Sequence, residues 1–274
     1  MMDILQEIVA WKRIEVEHEK ALMPPARLYA QVEQIMQQQT SVRSMSQRLR
    51  QSDSGIISEF KRKSPSKGWI HQDAHPEDVV TAYERGGACA ASILTDGKYF
   101  GGCMDFVRAV RPLVDLPLLR KEFIIDEYQL FQAKAIGADA VLLIAADLTK
   151  ATCAQLVHTA HQLQLEVLLE LHGEDELDYA CCEADMLGVN NRHLGTFVTD
   201  VHHSFAMADR LPEGPVWVSE SGIGEPQTVA HLREAGYRGF LMGEHFMRHP
   251  DPGAALKQFV TQVEKLVTCR PSPQ

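Results

Sequence analysis

Gly55-Ile56-Ile57-Ser58-Glu59-Phe60-Lys61-Arg62-Lys63-Ser64-Pro65-Ser66-Lys67-Gly68 joins a short apolar run to a dense group of charges and hydroxyls. The first half has the composition of a strand, and a period of two puts Glu59 and Lys61 on one face and Phe60 on the other. A carboxylate and an ammonium on one face of a buried strand are costly unless they meet each other or a ligand. The basic, serine-bearing loop that follows offers several donors to an anion. A surface strand with a solvated basic turn would read the same way in isolation, so the rest of the chain decides.

The same unit of apolar strand, polar strand end and helix recurs down the chain. Strands are predicted at 55–62, 89–95, 117–123, 140–145, 166–171, 186–191, 216–221 and 239–243. The helices between them carry punctuation: Pro76 opens one that ends at Gly86, Asp126 caps one that ends at Gly137, and Glu225-Pro226 opens one that ends at Gly236. Near-continuous apolar runs such as Ala140-Val141-Leu142-Leu143-Ile144 suit strands covered on both faces, as in parallel sheets. Eight such units in about 210 residues predict the α/β class and a single (β/α)8 TIM barrel. A doubly wound open sheet also alternates, but it should carry Gly-x-Gly-x-x-Gly after its first strand, and this chain does not.

Ahead of the barrel lies a helical extension. A helix is predicted over 3–22, with Asp3 as its cap and Ile4, Leu5, Ile8, Val9 and Trp11 as its apolar stripe. Glu15, Glu17, Glu19 and Lys20 read as its solvated face. Pro24-Pro25 stops it, a second helix follows over 27–36, and 42–49 is irregular or helical. The domains expected are an extension at 1–45, a barrel at 46–268 and a frayed tail at 269–274. The extension has no strand and no evident chemistry; it lies across a barrel end or forms a loosely attached arm.

Composition narrows the function classes. With 274 residues and a formal net charge of −10, the chain lacks the basic face a nucleic acid needs, so an anionic substrate must be met by a local cationic pocket. No apolar run reaches the roughly 20 residues of a membrane span, and the N-terminus lacks a signal-peptide core, so a cytoplasmic protein is expected. Six cysteines include no Cys-x-x-Cys pair, which suggests neither a zinc site nor a disulfide framework. The pairs His202-His203 and His158/His161 have no carboxylate or cysteine at ligand spacing and read as surface residues. No metal is expected.

In a barrel of this kind, chemistry gathers where strands run into the following loops. Glu59 and Lys61 end the first strand, Lys121 the third, Glu170 the fifth, Asn190 and Arg192 the sixth, Glu220-Ser221-Gly222 the seventh and Gly243-Glu244 the eighth. Charged ends on so many strands, each after an apolar run, point to a site.

These stretches, together with Leu94-Thr95-Asp96-Gly97-Lys98-Tyr99-Phe100, Lys121-Glu122-Phe123, Glu170-Leu171-His172, Gly188-Val189-Asn190-Asn191-Arg192, Ser219-Glu220-Ser221-Gly222 and Phe240-Leu241-Met242-Gly243-Glu244, resemble the indole-3-glycerol-phosphate synthase family in content and order. The departures are His193, Lys63 and His245, the last beside the expected phosphate loop. The resemblance implies closure of 1-(2-carboxyphenylamino)-1-deoxyribulose 5-phosphate to indole-3-glycerol phosphate, with loss of carbon dioxide and water, in tryptophan biosynthesis. It implies no metal or organic cofactor, a small anionic substrate, and a monomer or weak homodimer.

By that resemblance Lys121 is the acid for ring closure and Glu170 the principal base. Lys61 binds the anion and is a second donor for dehydration. Glu59 and Asn190 orient Lys121 and the substrate hydroxyls, in roles that are interchangeable from sequence. Ser64, Phe123, Arg192 and Glu220 are candidates for substrate binding, and Ser221, Gly222, Gly243 and Glu244 for the phosphate. A lysine acid is expected to have its pKa lowered by burial and neighbouring cations. Two other classes stay open: a related phosphate-binding barrel such as phosphoribosylanthranilate isomerase or a Schiff-base aldolase, and a binding protein that kept the pocket without catalysis.

Overall fold

The computed structural model describes residues 4–39, 41–193 and 198–268. Asp3 and the predicted tail at 269–274 lie outside the described residues. Eight parallel strands close a barrel: Ile56–Phe60, Ala90–Leu94, Leu118–Lys121, Ala140–Ile144, Glu166–Leu171, Met186–Asn190, Val216–Glu220 and Gly239–Met242. They coincide with the predicted strands to within two residues at each end. The ring is completed where the first strand pairs with the eighth, Ile56 opposite Phe240, and with the second, Glu59 opposite Ser92.

The period of two along each strand sorts side chains into two cores. Ile57, Ala90, Leu119, Leu142, Leu168, Met186, Val218 and Leu241 point inward and pack together inside the barrel. Their outward neighbours, among them Ile56, Phe60, Ile93, Val141, Leu143, Leu169, Val189 and Phe240, join the larger core against the surrounding helices. Continuing the inward parity toward the C-terminal strand ends gives Glu59 and Lys61, Lys121 and Phe123, Glu170 and His172, Gly188 and Asn190, Glu220, and Gly243. The apolar layer therefore becomes the floor beneath a polar one.

Helices ahead of the first strand reach both ends of the barrel. Helix α1, Ile4–Leu22, lies over the loops at the C-terminal end, where Ile4, Leu5 and Ile8 line the cavity mouth. Pro24 and Pro25 end α1 and start α2, Pro25–Gln38, because a proline at the first helical position gives up only a donor that would go unpaired. Helix α3, Met45–Gln51, plugs the opposite end with Met45 and Leu49, both fully buried. Glu166, first residue of the fifth strand, accepts from Met45 N at 2.6 Å, Ser46 N at 2.9 Å, Ser44 Oγ at 2.6 Å and Ser46 Oγ at 2.7 Å, and so anchors the positive end of α3.

Two expectations for α1 are corrected. Trp11 is 37% exposed and lies under the Lys98 ammonium, 3.9 Å from its ring centroid, while the adjacent Lys12 is the buried residue at 2%. The face read as solvated is largely docked: Lys20 reaches Asp126 at 2.8 Å, Glu19 accepts from Gln132 at 2.9 Å, and Glu15 pairs with Lys12. Helical periodicity locates a stripe but cannot show that a second face meets another element. No helix among the described residues is long and apolar enough to cross a membrane.

Candidate active site

A cavity of about 730 Å³ opens at the C-terminal end of the barrel, and all thirteen sequence-predicted site residues line it. At its floor Lys121 Nζ lies 3.1 Å from Glu170 Oε2 and 3.5 Å from Glu220 Oε2. Asn190 donates to Glu170 Oε1 at 3.0 Å, while its own carbonyl accepts from Arg192 N at 3.0 Å, which fixes the orientation of the amide. Lys61 donates to Glu59 Oε1 at 2.5 Å across the first strand. Parity brings these groups together from the first, third, fifth, sixth and seventh strands.

The electrostatics correct one expectation outright. Burial pulls Lys121 down, but Glu170, Glu220 and Glu59 outweigh it and hold the ammonium above the usual lysine range. Its neighbours are carboxylates rather than cations, so the shift runs opposite to that expected for an acid tuned by like charge. The two carboxylates facing it are driven apart. Glu170 is buried, yet Lys121 and His172 hold it well below the usual carboxylate range. Burial and the charge of Glu170 push Glu220 up to about 8, against the opposing pull of Lys121. The pair is thus one ionised carboxylate and one that keeps its proton at neutral pH, as fits a division into base and proton holder.

Glycine makes room for these acids. A Cβ at Gly188 would stand 2.2 Å from Glu220 Oε1, and one at Gly243 would stand 2.4 Å from Glu59 Oε1. Ser221 and Gly222 both take left-handed backbone, with φ of 68° and 75°. That conformation is strained for serine and turns the loop sharply after Glu220 at the cavity wall.

The loop after the first strand is a small hairpin, with Lys63 opposite Trp69 and Ser64 opposite Gly68. Arg192 Nη1 donates to Ser66 Oγ at 2.9 Å and ties this hairpin to the sixth strand. The Glu244 carboxylate sits between Lys67 at 3.8 Å and Arg192 at 3.7 Å. What Glu244 can offer an anion is therefore its backbone N–H.

Phe100, His172 and His245 are among the lining residues that were not predicted as site residues. Phe100 packs against Phe123 with ring centroids 5.9 Å apart, making a two-ring wall. His172 Nε2 lies 3.1 Å from Glu170 Oε1, off the line of a hydrogen bond, and burial is outweighed by Glu170, Glu176 and Glu220 so that its pKa is raised. Its position two residues after Glu170 on the same inward face was the available signal. His245 borders the loop at Gly224, and burial with Arg248 and His249 lowers its pKa. Elsewhere, His161 faces Asp185 at 3.0 Å and His158 bonds Gln162. No group of three or more His, Cys, Asp or Glu side chains among the described residues is arranged to hold a metal.

The sequence matches the family described as Indole-3-glycerol phosphate synthase over residues 5–259. An indole-3-glycerol phosphate synthase of Bacteroides thetaiotaomicron is 54% identical over 264 residues, which is 96% of this chain and 100% of that one. Its counterpart from Aromatoleum aromaticum is 40% identical over 258 residues, covering 94% and 98% of the two chains. Among solved structures, a thiamine phosphate pyrophosphorylase from Pyrococcus furiosus superposes with a TM-score of 0.59 over 78% of this chain and 97% of its own. At 16% identity that likeness concerns the fold alone.

Proposed function

The chain belongs to the indole-3-glycerol phosphate synthase family, and on that premise we propose that its barrel mouth closes 1-(2-carboxyphenylamino)-1-deoxyribulose 5-phosphate to indole-3-glycerol phosphate, releasing carbon dioxide and water. The observation that carries the reading is Lys121 held within 3.5 Å of both Glu170 and Glu220 on the floor of a cavity large enough for such a substrate.

The substrate's three parts find matching surroundings. Its phosphate goes to the turn Ser221-Gly222 and the backbone of Gly243-Glu244, the usual position for a phosphate after the last two strands of such a barrel. Its aromatic ring lies on Phe100 and Phe123, and its carboxylate faces Lys61, Ser64 and Arg192. The sugar hydroxyls fall near Glu59, Asn190 and Glu220.

In ring closure the ring carbon bearing the carboxylate attacks the ketone carbon, and Lys121 protonates the ketone oxygen as it becomes a hydroxyl. The raised pKa of Lys121 does not oppose this step, because the alkoxide formed without a proton would be far more basic than any amine. Loss of carbon dioxide restores the benzene ring. Glu170, ionised and oriented by Asn190, then takes the methylene proton as the hydroxyl leaves, protonated by Lys61. Asn190 and Glu59 hold the acid, the base and the hydroxyls in register.

Indole fluorescence gives the direct test. The expected outcome is a rise in product fluorescence with the purified chain and this substrate, competitively inhibited by inorganic phosphate. A folded chain without turnover would overturn the catalytic reading and leave a binding protein. A borohydride-trapped imine at Lys121 would redirect it to an aldolase.

A further inference from the structure

Lys12 is the most deeply buried lysine of the extension, and it is not among the residues lining the cavity. It is 2% exposed, and its ammonium meets three carboxylates: Glu15 on its own helix, Asp96 Oδ2 at 3.0 Å and Glu122 Oε1 at 3.0 Å. Asp96 is fully buried in the loop after the second strand, and Glu122 follows Lys121 directly after the third. Burial acts to lower the pKa of Lys12, but Glu122, Asp96 and Glu15 prevail and keep it charged.

The second partner of each acid shows what the cluster holds. Asp96 Oδ1 accepts from Tyr99 N at 2.7 Å and Phe100 N at 3.2 Å. Glu122 Oε1 accepts from Phe123 N at 2.9 Å, and its Oε2 accepts from Thr95 Oγ1 at 2.7 Å. One ammonium on α1 therefore grips the two carboxylates that fix the backbones of Phe100 and Phe123, the rings of the proposed aryl wall. The same helix supplies Ile4, Leu5 and Ile8 to the cavity mouth.

We infer that Lys12 is a positioning residue for the aryl subsite: through Asp96 and Glu122 it sets the spacing of Phe100 and Phe123 and couples docking of α1 to recognition of the substrate's aromatic ring. This rests on the proposed assignment of that wall to the ring. A lysine that only pinned the extension in place would influence stability, and would treat the aryl and phosphate ends of the site alike.

The test separates the two ends. 2-Aminobenzoate probes the aryl subsite and inorganic phosphate the opposite end, each as a competitive inhibitor of turnover. In Lys12→Met, KM for the full substrate and the inhibition constant of 2-aminobenzoate are expected to rise about tenfold, with kcat within about threefold and phosphate inhibition unchanged.

Asp96, left without a cation, will also lower the melting temperature, while Glu122 keeps Arg120 at 3.7 Å. Adding Asp96→Asn should recover part of that stability without recovering aryl affinity. If Lys12→Met is too unstable to assay, Asp96→Asn, which cuts the Phe100 arm alone, carries the same expectation. Recovery of aryl affinity together with stability, or parallel weakening of both inhibitors, would make Lys12 structural only and overturn the inference. Failure of 2-aminobenzoate to compete in the parent enzyme would remove the aryl-wall assignment itself. Competition that persists unweakened in Lys12→Met would remove only the role of Lys12.

Discussion

At the scale of the residue, Lys121 is where a catalytic and a structural reading give opposite results. Lys121→Met keeps the apolar volume of the stem and removes the proton. It is expected to lower kcat by about 10²-fold or more with KM little changed, the scale for a lost general acid. A folded Lys121→Met enzyme within a few-fold of the parent would move the acid's role to Lys61. Since its carboxylate neighbours raise Lys121 above its ordinary 10.5, its ammonium persists throughout the working range. Any loss of activity near pH 8 must then arise elsewhere, and Glu220 is the group placed to cause it. Its folded pKa, about 8, lies above the ordinary 4.5, so between those values the folded state binds more protons than the unfolded one. The stability this provides is complete below about pH 4.5 and is lost as pH rises through 8. Glu220→Gln mimics the protonated acid at every pH, so the parent should lose stability relative to this variant as pH climbs from 5 to 9, read by denaturant melts. A difference that stays flat with pH would mean that Glu220 is ionised throughout.

At the scale of the element, α3 and the fifth strand test whether the two ends of the barrel are independent. Glu166 satisfies four donors at the start of α3, and Glu166→Ala leaves them to water or to nothing. The expected cost is about 2 kcal/mol, or a melting temperature about 5 °C lower, with kcat and KM unchanged because α3 closes the end opposite the cavity. Loss of activity at unchanged stability would show that the plug communicates with the site. The strands themselves were legible from apolar runs ended by charge, and those strand ends put Lys121, Glu170 and Glu220 at the cavity because a strand's end is marked locally whatever the loop length between strands. Lys12 and Glu166 were not legible. Each looks like an ordinary surface charge in its own segment, and its burial depends on partners far away in the chain, from Lys12 to Asp96 or from Glu166 to Ser44. Phe100 was hidden for the same reason, since a ring in a loop declares no direction until the loop is pinned. The shift of Lys121 was misjudged because its sign depends on how many acids converge on it, which no single strand records.

At the scale of the whole molecule, the ring is completed by pairing Ile56–Ser58 with Phe240–Met242, segments more than 180 residues apart in the chain. A ribosome working at about 5 to 20 residues per second delivers the second of these roughly ten to forty seconds after the first. Throughout that interval the edge carrying Ile56 and Ile57, both fully buried in the finished barrel, has no strand on one side. An open apolar edge is an invitation to another chain. A chain ending at residue 238 is accordingly expected to aggregate or to melt without cooperativity, even with every catalytic residue named above present; a soluble, cooperatively unfolding fragment would show that the open sheet is stable alone. The seam thus makes birth the hazardous period for this protein: a nascent chain carries its complete catalytic set for some seconds before it has the last strand needed to hold that set in place.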